Sequence, residues 1–155
     1  MSKHSTIHNT FVIERNLPHP PQRVYAAFAT AEGKARWFAG PADWKTQIRE
    51  FDFRIGGRER LQGKWPNGKV SDFSAHYMDI VPERRIIYAY DMHIDGERIS
   101  ASLATVEFIG DGAGTRLKVT EQGAYLDSFD KPEMREHGTQ HLMDKMAASL
   151  EAAAH

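Results

Sequence analysis

The chain has 155 residues, of which 41% are apolar and 26% charged, a single-domain globular composition rather than a disordered or membrane one. Twenty basic against twenty-one acidic side chains leave a net charge of −1, which argues against holding nucleic acid through the overall field. Absence of cysteine excludes disulfides and thiolate metal sites, no apolar run approaches the roughly 18 residues that span a bilayer, and Met1-Ser2-Lys3-His4-Ser5 lacks a signal-like apolar region. The expectation is one cytoplasmic domain over 1–155, with its core in about 10–152, no nucleic-acid partner and no membrane span.

Thr10 to Arg15 reads as a strand that ends at the prolines from Pro18 to Pro21. Pro20-Pro21 opens a helix with Val24, Tyr25 and Phe28 on one face, and Thr30 can cap a second short helix that reaches Trp37-Phe38. After Pro41 the pattern changes to strand period. Turn signals at Pro66-Asn67-Gly68, Pro82-Glu83, Ile94-Asp95-Gly96 and Gly110 to Ala113 divide it into strands at 45–54, 57–65, 69–81, 84–93, 97–109 and 114–123. They form an antiparallel meander. Asp130 and Glu133 have capping-box spacing, and Pro132 suits a first turn. Leu142, Met143, Met146 and Leu150 then follow on one stripe of a helix of about 20 residues, the only long element available to cover a curved sheet.

This β-α-α-β6-α order resembles the α+β helix-grip fold (START-like, Bet v 1-like) of the SRPBCC superfamily, in which a seven-stranded curved antiparallel sheet wraps a long C-terminal helix. Individual segments resemble the branch named for the C-terminal domain of the activator of Hsp90 ATPase. They are Val24-Tyr25-Ala26-Ala27-Phe28, Lys34-Ala35-Arg36-Trp37-Phe38, Asp52-Phe53-Arg54-Ile55-Gly56-Gly57, Val81 to Tyr88, Ala104 to Phe108, Gly114 to Thr120 and the helix from Arg135 to Leu150. Where that family often has Gly-Trp in its last helix this chain has Gly138-Thr139, a departure that resembles a bacterial subgroup. The resemblance implies a deep cavity between helix and sheet. It does not imply one chemistry, because the fold hosts carriers, enzymes and chaperone partners.

The turns also set registers. They pair Tyr77 with Tyr88, Ala75 with Tyr90, Glu59 with Ala75 and Leu61 with Phe73, then Tyr90 with Ser100, Ser102 with Glu121 and Val106 with Leu117. Cross-strand partners share a face. One face therefore collects Glu59, Leu61, Phe73, Ala75, Tyr77, Ile86, Tyr88, Tyr90, Met92, Arg98, Ser100, Ser102, Ala104, Val106, Phe108, Leu117, Val119 and Glu121. The other carries Asp72, His76, Asp79, Asp91, His93, Glu107, Arg116 and Lys118, so the first is the concave side. Its tyrosines, serines and carboxylates among aliphatics are the mixture found in small-molecule pockets. Expected ligand contacts are Glu59, Leu61, Phe73, Tyr77, Tyr88, Tyr90, Arg98, Ser100, Ser102, Val106 and Glu121, completed by Trp37, Phe53, Leu142, Met143 and Met146.

Glu59 and Glu121 lie four strands apart, roughly 19 Å along the sheet, too far to act as a carboxylate pair. Either one helped by Tyr90 remains a candidate acid or base. His137 and His141 are one helical turn apart but lack the zinc-hydrolase glutamate and a third ligand. Gly56-Gly57 and Gly112-Ala113-Gly114 read as turns rather than phosphate loops, so neither a metal nor a cofactor is expected. Ile87, Ile99, Ala101 and Leu103 fall on the outer face and suggest a homodimer interface. Three readings stand: a binder of an apolar or aromatic small molecule, a cyclase/aromatase- or hydrolase-like enzyme using the same cavity, and an Hsp90-type co-chaperone. The last ranks behind because 155 residues leave no room for the activator's separate N-terminal domain.

Overall fold

The computed structural model describes residues 4–152; the ends of the expected 1–155 domain, 1–3 and 153–155, lie outside the described residues. Strand β1 (Thr6–Leu17) leads into helices α1 (Pro21–Ala29) and α2 (Ala31–Ala35). Strands β2 (Lys45–Phe51), β3 (Arg58–Lys64), β4 (Val70–Val81), β5 (Arg85–Ile94), β6 (Glu97–Asp111) and β7 (Gly114–Leu126) follow, and helix α3 (Pro132–Ala152) is the last element. The seven strands make one antiparallel sheet in the order β1-β7-β6-β5-β4-β3-β2. This is the helix-grip arrangement expected from the sequence.

Local chemistry explains the helix boundaries. Pro21 stands in the first turn of α1, where its missing N–H costs nothing. The Thr30 hydroxyl accepts from the Gly33 N–H at 3.0 Å and so caps α2. The expected capping box at Asp130 does not form. Helix α3 starts at Pro132, and the Asp130 carboxylate accepts instead from the Lys131 N–H and the Arg135 guanidinium.

Three one-residue irregularities shape the sheet, and they sit on alternate strands. They fall at Gln47 on β2, Met78 on β4 and Ile99 on β6. Each such bulge adds twist and bends its strand. Met78 hides a misread turn. The β4–β5 connection has three residues, with Glu83 in the left-handed region at φ 63°, and the extra residue at Met78 restores the expected pairing of Tyr77 with Tyr88.

Between β5 and β6, Asp95 and Gly96 form a two-residue turn with φ 51° and 83°, the pattern of a type I′ hairpin. The bulge at Ile99 then shifts the pairing once more, so that Tyr90 faces Ser102 and Met92 faces Ser100. The two single shifts keep every later residue on its expected face. Arg98 lies between them and is thrown to the outer face, where it pairs with Asp91 at 3.2 Å. Ile99 is buried rather than part of an exposed strip. A tight turn at Gly112-Ala113 moves β6 against β7 by two residues, pairing Ala104 with Glu121 and Val106 with Val119, again without changing faces.

The core divides in two. The larger cluster joins Phe11, Val24, Phe28, Trp37, Tyr77, Ile86, Val106 and Phe108 to Met143, Met146 and Leu150 of α3. A smaller cluster of Leu61, Phe73, Ala75, Tyr90 and Ala104 lies on the sheet beside it. Over that second cluster α3 does not close down: Met134 is 65% exposed, and nothing lies within 4 Å of where a Gly138 Cβ would stand.

A candidate ligand-binding cavity

The space between α3 and the second cluster is a cavity of about 490 Å³, within the range of small-molecule pockets. The sheet contributes Leu61, Phe73, Tyr88, Tyr90, Met92, Val106, Val119 and Glu121 to its wall. The strand period of two brings Tyr88, Tyr90 and Met92 to it in succession. Helix α3 contributes Met134, Arg135, Gly138, Thr139, Leu142 and Met143, a stripe at helical spacing. Trp37, Phe38 and Trp44, after α2, and Trp65 close the side, so that all three tryptophans of the chain line the cavity. The Trp44 ring occupies the space that Cβ atoms on Gly40 and Gly63 would need.

A polar cluster stands in this wall. Arg135 donates to the Tyr90 hydroxyl at 3.1 Å, to Ser100 at 2.8 Å and to Asp130 at 2.5 Å. A guanidinium can only donate, so the Tyr90 oxygen accepts from it and sends its own hydrogen to Glu121 Oε1. Thr139 donates to Glu121 Oε2 at 3.2 Å. Both oxygens of Glu121 therefore act as acceptors, as in a carboxylate. Burial raises the Glu121 pKa from its ordinary 4.5, against the lowering effects of Tyr90, Arg135 and Thr139. Burial, with Glu121 beside it, also raises the Tyr90 phenol far above its usual range and keeps it protonated.

A second cluster lies deeper. Lys34 and Glu59 form a buried ion pair at 2.9 Å, and Tyr77 donates to the same Glu59 oxygen at 2.5 Å. The Lys34 ammonium lies 4.9 Å from the Phe38 ring centroid and within 6 Å of Trp37, Phe51 and Tyr88, and these ring faces help to solvate it. Each carboxylate thus has its own tyrosine and its own nearby cation, and the two do not work as a pair.

Of the residues singled out from sequence, Trp37, Leu61, Phe73, Tyr88, Tyr90, Val106, Glu121, Leu142 and Met143 lie in the cavity wall. Ser100 stands behind it, held by Arg135. Ser102 is buried, and its hydroxyl has no hydrogen-bond partner among the described residues. Glu59 is occupied by Lys34 and Tyr77, while Tyr77 and Met146 belong to the main core. Phe53 is outside because β2 ends at Phe51; its ring stacks on Phe51 and meets Tyr77 edge-on. Arg98 is on the opposite face.

Sequence reasoning missed Lys34, Arg135, Thr139 and Asp130. A signal for two of them was present. Lys34 precedes Trp37 and Phe38 by three and four residues and so shares their helix face, and Arg135 precedes Thr139 and Leu142 on one stripe. An inner-face carboxylate calls for a buried cation, and these were the cations on inward-facing stripes.

A long helix gripped by a curved antiparallel sheet, with a cavity between them, defines a helix-grip protein of the START-like kind. The model of the family described as activator of Hsp90 ATPase homolog 1-like protein matches residues 18–153, and the chain belongs to that family. No curated protein sequence matches the chain. Among solved structures, an uncharacterised protein from Rhizobium leguminosarum is 41% identical, with 97% of this chain and 99% of that one covered and a TM-score of 0.92. The Mll3558 protein from Rhizobium loti is 42% identical over 94% of this chain and 99% of its own, with a TM-score of 0.88. An AHSA1-like protein from Aeromonas hydrophila, 23% identical over 94% of both chains with a TM-score of 0.74, shares the fold.

Proposed function

We propose that the protein binds an apolar or aromatic small molecule in the cavity between the sheet and α3. The observation that carries this reading is the wall itself: eight aromatic side chains and several aliphatic ones converge with the Arg135–Tyr90–Glu121 cluster on about 490 Å³, the composition of a ligand site rather than of a packed core. The residues offered as contacts are Trp37, Leu61, Phe73, Tyr88, Tyr90, Val106, Glu121, Leu142 and Met143, with Arg135 and Thr139 added from the geometry. Native mass spectrometry of freshly purified protein, before and after organic extraction, tests it. The expected result is an apolar compound retained until extraction. With all three indoles on the wall, tryptophan emission gives a second readout. A protein that is empty, and whose emission and melting temperature do not respond to a panel of lipids and aromatics, would refute the reading.

One observation favours a cyclase/aromatase- or hydrolase-like enzyme as the second reading. Glu121 is a cavity carboxylate with a raised pKa, in contact with a protonated tyrosine, which suits a group that exchanges protons. Turnover of a bound compound that is lost in Glu121→Gln while binding persists would favour it. A homodimer through the outer face remains a further reading: Ile99 is buried, but Ala101, Leu103, Val12 and the bulged Met78 are exposed there beside half-buried Ile87. A constant monomer mass across concentrations in sedimentation would dismiss it.

A further inference from the structure

The polar cluster constrains the head group of the ligand, an inference that rests on the cavity being a ligand site. Arg135 is the cation of the cluster, and its charge is already met by Asp130 at 2.5 Å, both side chains being 12% exposed. The other cation of the wall, Lys34, is met by Glu59. Lys145 and Arg49 approach the same rim but donate to the backbone carbonyls of Ala39 and Phe38. Glu121 is therefore the charged group of the wall that makes no ion pair of its own among the described residues. Its two hydrogen bonds come from neutral hydroxyls, one per oxygen, and a carboxylate oxygen can accept more than one.

The Arg135 guanidinium is near Glu121 but donates to Tyr90, Ser100 and Asp130 rather than to it. Burial makes a charge without a direct ion pair costly, and a donor brought by the ligand offsets the cost. An acceptor or an anion at the same place would instead meet a carboxylate. We propose that the cavity selects molecules with an aromatic or apolar body and a protonated amine seated on Glu121, and discriminates against the same body carrying a carboxylate.

The test uses the full chain and four compounds with one body: 2-naphthylmethylamine, 2-naphthylmethanol, 2-naphthoic acid and 2-methylnaphthalene, compared by calorimetric titration at neutral pH. The amine is expected to bind at least about tenfold more tightly than the acid, with the alcohol between them. Glu121→Gln should narrow that gap to about threefold or less. An acid that binds as well as the amine overturns the inference, as does a gap untouched by Glu121→Gln. The comparison on the unaltered protein decides even where the variant does not fold. If 2-methylnaphthalene binds and the amine gains nothing over the acid, the head-group inference alone falls. If none of the four binds, the cavity reading falls with it.

Discussion

Replacing Lys34 with methionine would leave Glu59 as a buried carboxylate with Tyr77 as its remaining hydrogen-bond partner among the described residues. The side chains of Lys34 and Glu59 are 7% and 4% exposed and meet at 2.9 Å, so the discount that applies to surface pairs does not apply here. Breaking a buried pair from one side costs about 3–5 kcal/mol, chiefly from the charge left uncompensated. Glu59→Gln should cost a similar amount by stranding the ammonium among its rings. In a domain of this size those losses correspond to a melting temperature lower by roughly 6–20 °C. The double variant, Lys34→Met with Glu59→Gln, removes both charges and keeps an amide oxygen that can accept from Tyr77. It should lie within about 1–2 kcal/mol of the parent, and so be more stable than either single variant. Urea unfolding followed by far-ultraviolet circular dichroism measures all four corners of the cycle. Single losses below about 1 kcal/mol that simply add in the double variant would refute the reasoning, because the pair would then be solvated.

The register and Glu121 each give a further prediction. Arg98→Ala should change stability by less than about 0.5 kcal/mol and leave retention of any co-purified compound unaltered, since Arg98 lies on the outer face in an exposed pair with Asp91; loss of the compound would put Arg98 back in the cavity. Because burial raises the Glu121 pKa above 4.5, the folded chain holds this proton more tightly than the unfolded one. The contribution of Glu121 is then most favourable below its unfolded value and declines as pH rises through the folded one. The stability of the parent relative to Glu121→Gln should therefore fall as pH rises from the ordinary carboxyl value of 4.5 toward neutrality, measured by urea unfolding at several pH values, and a flat or rising difference would contradict the assignment.

The faces of the sheet were legible in the sequence although several registers were not. Turn residues locate hairpins well, yet Asp95-Gly96 serves a two-residue or a three-residue connection equally, and sequence alone does not choose. A bulge has no strong signature in one chain. Met78 and Ile99 correct for the turns beside them, so Tyr88, Tyr90, Val106 and Glu121 were placed on the right face, and only Arg98 and Ile99, next to the correction itself, were misplaced. The helices posed a different difficulty. Whether a lysine in a five-residue helix faces solvent or sheet depends on how that helix is docked, which the periodicity of five residues does not fix. Lys34 therefore gave only its spacing to Trp37 and Phe38 as a signal, and Arg135 on the long α3 only its stripe with Thr139 and Leu142, while the carboxylates near them, on strands with a period of two, were found.

The bulges at Gln47, Met78 and Ile99 on β2, β4 and β6 carry a consequence for how such a cavity changes over evolutionary time. Each is a single inserted residue that bends its strand around α3, and none of the three lines the cavity. Deleting one would return its ladder to regular pairing and flatten that part of the sheet without replacing any wall residue. Depth is therefore heritable separately from chemistry. One-codon insertions and deletions adjust how much space stands under the helix, and substitutions at positions such as Gly138 and Met92 adjust what that space recognises.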